Sequence, residues 1–148
     1  MNVEFINEGN KLCADYLGYK YYKWTDKDIP NNLSGGWIHT KKQPKDRYYY
    51  LGRTAKEMAF HWDWNLLMLV VEKIESTRDE DFGWFQVYIN ANQCDIRSKY
   101  AYLSDNNVKS YISDPNAIFE TKVQSTFYNV VNFLKFLKNN EKLREANQ

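Results

Sequence analysis

The fold is decided by the stretch His61-Trp62-Asp63-Trp64-Asn65-Leu66-Leu67-Met68-Leu69-Val70-Val71-Glu72-Lys73-Ile74-Glu75. Apolar residues recur in it at steps of three or four, the spacing that places side chains on one face of an α-helix. That face comprises Trp64, Leu67, Met68, Val71 and Ile74, and Val70 widens it. Because Leu66 and Leu69 lie outside the face, we expect this helix to be covered on more than one side. Asp63 is expected to cap its start, and the helix is predicted from about Trp64 to Ser76.

A helix is also predicted towards each end of the chain. The first runs from about Val3 to Leu17 and stops at Gly18, a residue type that favours the left-handed conformation after a helix. The last begins at Thr121-Lys122-Val123-Gln124, which fits a capping box, and continues as an apolar stripe. We expect it to end at Asn139-Asn140, with residues 141–148 as a frayed, charged tail.

Two hairpins are predicted between the helices. In the first, Trp37–Thr40 pairs with Arg47–Leu51 around an exposed basic loop, with a further short strand at Tyr21–Trp24. In the second, Trp84–Ile89 turns at two asparagines and returns as Cys94–Arg97. The order helix, hairpin, helix, hairpin, helix indicates the α+β class, with a small, mainly antiparallel sheet packed between or against three helices. At 148 residues we expect a single domain over 1–148.

The remaining segments have weaker local signals. Thr54-Ala55-Lys56-Glu57 fits a capping box, so a short helical turn is expected before the central helix. Thr77 to Gly83 is interpreted as an acidic, solvated turn. Ala101 to Pro115 is polar and loop-like, with Val108 and Tyr111-Ile112 as edge-strand fragments.

Several classes of protein are disfavoured by composition. The longest apolar run, Leu66 to Val71, is too short to cross a membrane, and the N-terminus lacks a basic and then apolar leader, so we expect a cytoplasmic protein with no membrane partner. Cys13 and Cys94 are far apart and without a nearby histidine, which favours two free, buried thiols over a disulfide or a zinc site. The sequence predicts no metal and no cofactor, and it leaves the oligomeric state open.

Charge and aromatic residues concentrate in one region. From Lys20 to Lys56 there are nine basic and three acidic residues, although the whole chain has a net charge of only +1. The candidate binding residues in this region are Tyr21, Tyr22, Trp24, Lys41, Lys42, Arg47, Tyr48 and Tyr50. Such residues suit a protein interface, and they also suit single-stranded nucleic acid, held by phosphate charge and base stacking. The alternative is purely structural, a sheet with alternate aromatic residues buried beside a solvated lysine loop.

Catalytic interpretations find little support. His61 and Asp63 could form a base and its orienting carboxylate, but no nucleophile or pocket is marked beside them, so capping and hydrogen bonding explain them better. His39 is expected to be structural. Glu72, Glu75 and the acidic turn after them lack the spacing of a calcium loop. No catalytic residue is therefore assigned, and an enzyme that uses His61 and Asp63 is a third hypothesis.

The stretch Phe60 to Glu75 resembles a pattern in small phage and bacterial proteins that runs from an aromatic residue and His through Trp to Val-Val-Glu-Lys-Ile-Glu. Asn10 to Gly18, Val87 to Ile96 and Lys122 to Asn139 are similar to the opening helix, the hairpin and the closing helix of the same family, the phage ABA sandwich type. This sequence departs from it at Leu69, where proline is frequent, and in a longer, more basic segment from Tyr19 to Lys56.

The resemblance implies a sheet lying between helices and a phage or prophage origin, and it assigns no functional residues. Together with the aromatic region, it predicts a non-enzymatic accessory protein that acts by binding a protein partner. Inhibition of a host defence protein is one form that this activity could take. The alternative is nucleic-acid binding through the basic aromatic segment 20–56, with the cations Lys20, Lys23, Lys41, Lys42, Lys45, Arg47 and Arg53.

Overall fold

The computed structural model describes residues 1–27, 29, 33–80, 82–98, 110–112 and 119–147. The elements, in chain order, are α1 (Val3–Leu17), β1 (Lys20–Lys23), β2 (Gly35–Ile38), β3 (Tyr50–Gly52), α2 (Trp64–Ser76), β4 (Arg78–Asp79), β5 (Gly83–Ile89), β6 (Cys94–Ser98), β7 (Ser110–Ile112) and α3 (Lys122–Ala146). Every pairing between these strands is antiparallel. The predicted α+β class is confirmed, with two small sheets in place of the single sheet expected.

Helix α1 has the predicted bounds. The side chain of Asn2 accepts a hydrogen bond from the backbone N–H of Phe5 and caps the start, while Gly18 adopts a left-handed conformation with φ 93° at the end. Gly9 lies where α1 crosses α3. A Cβ built at Gly9 would approach within 2.5 Å of Val131 Cγ2 and 2.7 Å of Phe127 Cζ. The glycine that interrupts the apolar face therefore allows the two helices to approach closely.

Helix α2 also has the predicted bounds, and Asp63 Oδ1 caps it by accepting from the N–H of Leu66 at 3.1 Å. The buried residues are Leu66, Leu67, Val70, Val71 and Ile74. The predicted face is wrong at Trp64, which is 37% exposed, whereas the burial of Leu66 confirms that the helix is covered on more than one side. Helix α2 contacts α1, α3 and β5, so a wide arc of its surface is covered beyond the first turn, where Trp64 lies.

Helix α3 starts as predicted and ends later than predicted. Thr121 Oγ1 accepts from the N–H of Gln124 at 3.3 Å. The expected end at Asn139-Asn140 and the frayed tail from 141 are wrong, since the helix continues to Ala146. Arg144 explains the extension, because its two terminal nitrogens bind both carboxylate oxygens of Asp79 at 2.9 and 3.3 Å. This bidentate pair fixes the last turns of the helix against β4.

The first sheet has the strand order β1-β2-β3. Its strands lie near the predicted ones, but β2 starts two residues earlier than predicted, at Gly35, and β3 is confined to Tyr50–Gly52. Gly36 explains the shift, because its φ is 137° and a Cβ there would lie 2.6 Å from the Tyr50 ring and against the Gly52 carbonyl. Only glycine permits this close approach of the strands.

The second sheet has the strand order β4-β5-β6-β7. Strands β5 and β6 match the predicted hairpin to within one residue at their ends. Phe85 and Ile96 are fully buried, and the sheet contacts α2 through β5 and α3 through β6. Strand β4 was missed, since the segment Thr77 to Gly83 was interpreted wholly as a turn. Tyr111-Ile112 is confirmed as part of a strand, while Val108 lies outside the described residues.

The core combines residues from all three helices and both sheets. Cys13 and Cys94 are free and buried, as predicted, and burial raises the pKa of both thiols. Thr54 to Glu57 forms a turn and no helix, in which the Glu57 carboxylate accepts from the N–H of Arg53 at 2.6 Å. None of the helices in the described ranges is long and apolar enough to span a membrane.

Candidate interaction surface

Strand β1 presents its residues to solvent. Lys20, Tyr21 and Lys23 are exposed, and β1 is an outer strand in the order of the first sheet. The Tyr21 ring lies 6.0 Å from that of Trp37, its partner on β2, yet remains 54% exposed. Trp24, directly after the strand, is 75% exposed. Exposed aromatic residues therefore alternate with lysines along this strand.

The basic loop 40–47 is ordered by bonds within itself. Asp46 Oδ2 accepts from the N–H of Gln43 at 2.8 Å, and the N–H of Lys41 donates to His39 Nδ1 at 3.2 Å. Lys41 and Lys45 are exposed, while Lys42 is half-buried. The Lys42 ammonium lies 5.6 Å from the ring centroid of Tyr19 and 6.0 Å from that of Tyr48. Aromatic faces therefore hold one lysine of this loop in place.

Tyr48 has an unusual backbone conformation. Its φ is 64°, in the left-handed region that a bulky residue rarely adopts. The Tyr19 hydroxyl donates to the Tyr48 carbonyl, and the Tyr48 hydroxyl donates to Asp63 Oδ2 at 3.1 Å. Burial and the neighbouring Tyr48 phenol raise the pKa of Tyr19 to about 12, so the Tyr19 hydroxyl stays a donor. These two bonds stabilise a conformation that would otherwise cost about 1–2 kcal/mol.

Asp63 connects the loop to helix α2. Its Oδ1 caps the helix, and its Oδ2 accepts from Tyr48 and lies 3.7 Å from an Arg47 terminal nitrogen. The Arg47 guanidinium also stacks over the Tyr48 ring at 4.7 Å. The Asp63 side chain is 15% exposed and that of Arg47 is 69% exposed. The carboxylate is therefore a partly buried anchor, and the guanidinium beside it faces solvent.

Two exposed tryptophans flank this anchor in the chain. Trp62 is 64% exposed and Trp64 is 37% exposed. We call the set Lys42, Arg47, Tyr48, Trp62, Asp63 and Trp64 the α2 N-terminal surface. The spacing of apolar residues predicts Trp64 on the core face, and it makes no prediction for Trp62. The signal that could have identified them is an aromatic residue on each side of an N-cap, where a helix has not yet reached its packing neighbours.

Asn10 forms buried hydrogen bonds with the segment that precedes this surface in the chain. It is fully buried, and its Nδ2 donates to the carbonyls of Ala55 and Met58, each at 2.8 Å, and lies 3.3 Å from His61 Nδ1. The His61 ring packs edge-on against Phe127, and burial lowers the pKa of His61. These contacts tie helix α1 to the segment that leads into Trp62. Asn10 was not singled out in the sequence, where a polar residue between Gly9 and Lys11 gives no sign of burial.

The structure separates the predicted binding residues into groups. Arg47 and Tyr48 meet at Asp63, Lys42 lies over the Tyr48 ring, and Lys41 is next to Lys42 in the loop. Tyr21, Tyr22 and Trp24 belong to β1 and the turn after it. Tyr50 lies on β3, in the same sheet as β1, and its hydroxyl donates to the carbonyl of Gly35, the pairing partner of Lys23, at 3.3 Å. Among the described contacts, none joins His61 to Asp63 as the catalytic hypothesis requires.

A groove lies between α1 and α3. Its volume is about 230 Å³, and it is lined by Leu12, Asp15, Tyr16, Leu134, Leu137, Lys138 and Glu141. Partial burial raises the pKa of Asp15, and Lys138 and Lys11 oppose that shift. Within the described part of the chain, no group of three or more His, Cys, Asp or Glu side chains is arranged to hold a metal ion.

Comparison with models of known protein families, with curated proteins and with solved structures finds no match to this chain. The resemblance to a phage family therefore stays a prediction from the quoted residues. A proposal about function therefore rests on the geometry of the described residues.

Proposed function

We propose that the protein is not an enzyme and acts by binding another protein through the α2 N-terminal surface. The observation that carries the proposal is the pair of exposed tryptophans, Trp62 and Trp64, on either side of the anchored carboxylate of Asp63. Trp, Tyr and Arg are the residue types that dominate binding energy at protein interfaces. All three types occur on this surface.

The anchoring of the surface supports the same proposal. Arg47 stacks on Tyr48, and Tyr48 is fixed by Tyr19 on one side and Asp63 on the other. Side chains that are already ordered lose less conformational entropy when a partner binds, where each immobilised flexible side chain costs about 0.5–1.5 kcal/mol. A prearranged group of this kind suits recognition of a partner.

The biological setting belongs to the same proposal. The resemblance of Phe60 to Glu75 to phage proteins favours a phage or prophage accessory protein that works in the cytoplasm of a bacterial host. Inhibition of a host defence protein would be one such role. The support for this setting is the sequence pattern alone.

The test is capture from host lysate with matched variants. The wild type should retain a specific protein that Trp62→Ala and Trp64→Ala each lose. Trp84→Ala is the control for Trp64, since both tryptophans are 37% exposed and Trp84 lies on β5. Equal capture by Trp64→Ala and Trp84→Ala, with all variants folded by circular dichroism, would contradict the assignment of this surface.

Nucleic-acid binding is the second candidate, and the composition of β1 favours it. Lys20, Tyr21, Lys23 and Trp24 expose alternating cations and aromatic rings, a combination that can hold phosphates and stack bases. A gel-shift assay with single-stranded DNA should then show binding that weakens steeply as salt rises. No retardation at low salt would exclude this candidate.

A further inference from the structure

We infer that the partner binds the α2 N-terminal surface through an acidic segment of its chain that also carries an apolar side chain. This inference rests on the proposed function and adds the chemistry of the partner. It follows from the cations of this surface and of the loop 40–47, and from how few of those charges are neutralised within the described residues.

Arg47 has unused hydrogen-bonding capacity. A guanidinium has five N–H donors, and within the described residues Arg47 makes a single ion pair, an approach of 3.7 Å to Asp63, in addition to its contact with Tyr48. Each Asp63 oxygen already accepts one hydrogen bond, Oδ1 from the Leu66 N–H and Oδ2 from the Tyr48 hydroxyl. Asp63 thus orients Arg47 without satisfying it. A second carboxylate could bind the exposed edge of the guanidinium in the bidentate geometry that arginine favours.

The loop beside Arg47 adds three further cations. Among the described residues, no carboxylate forms a salt bridge with Lys41, Lys42 or Lys45. Asp46, the one acidic residue in this loop, directs a carboxylate oxygen to the N–H of Gln43. Counting Asp46 and Asp63 against the four cations leaves a local net charge of +2. A complementary partner surface is therefore negative.

The arrangement favours a peptide over a nucleic-acid strand. Asp63 lies in the chain between Trp62 and Trp64, and its carboxylate oxygens contact Tyr48 and Leu66. A nucleic-acid strand carries a phosphate at every nucleotide and would bring some of them close to this carboxylate. A peptide can place carboxylates at Arg47 and Lys42 and an apolar side chain at the tryptophans. The same mixture of charged and apolar contacts is typical of protein interfaces.

The experiment is selection of a random displayed peptide library on the immobilised full chain, followed by affinity measurements on the selected peptides. We expect enriched peptides to combine Asp or Glu with an apolar residue. The double variant Lys42→Glu/Arg47→Glu should bind them roughly tenfold or more weakly, because attraction is replaced by repulsion. Lys122→Glu/Lys142→Glu is the matched control, with the same change of charge on exposed positions of α3, and it should bind like the wild type.

The outcomes separate the two proposals. Enriched peptides that are neutral or basic, but still require Trp62 and Trp64, overturn the acidic segment and leave protein binding at this surface intact. Enrichment that is equal on wild type and on Trp62→Ala/Trp64→Ala, or no enrichment, overturns both. If a labelled oligo(dT) binds the wild type and loses as much affinity in Lys42→Glu/Arg47→Glu as the peptides do, nucleic acid replaces the acidic segment as the occupant.

Discussion

Replacing Gly9 by alanine sets two opposing effects against each other. In an exposed helix interior, the change from glycine to alanine stabilises by about 1 kcal/mol, because alanine loses less backbone entropy on folding. At Gly9 the new Cβ would lie 2.5 Å from Val131 Cγ2 and 2.7 Å from Phe127 Cζ, well inside van der Waals contact. Helix α1 or α3 must therefore move to accommodate it.

The geometry decides which effect is larger. Phe127 and Val131 are both fully buried, so neither side chain can move into solvent. Overpacking of a buried contact costs about 1–3 kcal/mol, which exceeds the gain in helix propensity. We expect Gly9→Ala to lower the free energy of unfolding by roughly 1 kcal/mol, or the melting temperature by about 2–4 °C.

Urea denaturation of four proteins measures this: the wild type, Gly9→Ala, Val131→Ala and the double variant. Val131→Ala removes the closest atom, so alanine at position 9 should be less destabilising in that background, with a coupling energy of roughly 0.5–1 kcal/mol. Lys11→Ala, on the exposed side of α1, is the control for general effects on the helix. A Gly9→Ala protein as stable as the wild type, with no coupling to Val131, would refute the close helix crossing.

Three further predictions concern the site and its supports. Asp63→Ala should lower the free energy of unfolding by about 1–2 kcal/mol in urea, because it removes the α2 cap and the acceptor of the Tyr48 hydroxyl. Asp63→Asn, which can still cap, should lose less, and equal losses would contradict the capping role. The pKa of His61 is lower in the folded state than the ordinary value of 6.5. As the pH falls, His61 is therefore protonated in the unfolded state before it is protonated in the folded state. Stability should therefore decrease from about pH 7 to pH 5, and His61→Gln should flatten that dependence in thermal melts. Arg144→Ala should lower the free energy of unfolding by about 0.5–1 kcal/mol, a value discounted for the partial exposure of the side chain. It should also speed hydrogen exchange in the last turns of α3. Unchanged exchange would show that the pair with Asp79 does not fix these turns.

Local signals in the sequence were sufficient to predict where the helices start and where the second hairpin lies. Helix starts depend on residues next to each other in the chain, such as Asp63 and Thr121, whose caps were predicted and are present. Strands β5 and β6 could be predicted in the same way, because apolar spacing and β-branched residues are also features of neighbouring positions in the chain. The boundaries of α1 and α2 could therefore be predicted closely without knowledge of the tertiary structure.

The errors arise where distant residues decide the outcome. The end of α3 depends on Arg144 meeting Asp79, which is 65 residues away in the chain. The exposure of Trp64 depends on where the neighbours of α2 end, which the spacing of apolar residues cannot show. The shift of β2 follows from the close approach of Gly36 to Tyr50 and Gly52.

The candidate site was predicted only in part. The basic and aromatic composition predicted Lys42, Arg47 and Tyr48 as binding residues, and binding by them stays a prediction. Their connection to Asp63 needs the positive φ of Tyr48 and its hydroxyl bond across 15 residues of chain. Neither feature has a local sequence signature, because tyrosine rarely adopts that conformation.

The most direct test of the central claim is site-specific photo-crosslinking in bacterial cells that express the protein. A photoreactive phenylalanine analogue replaces Trp62 in one variant and Trp84 in another. If the α2 N-terminal surface binds a protein, position 62 should give a discrete crosslinked product that Arg47→Glu removes, and position 84 should give none. Identical products from both positions, or no product from position 62 in a folded protein, would contradict the claim.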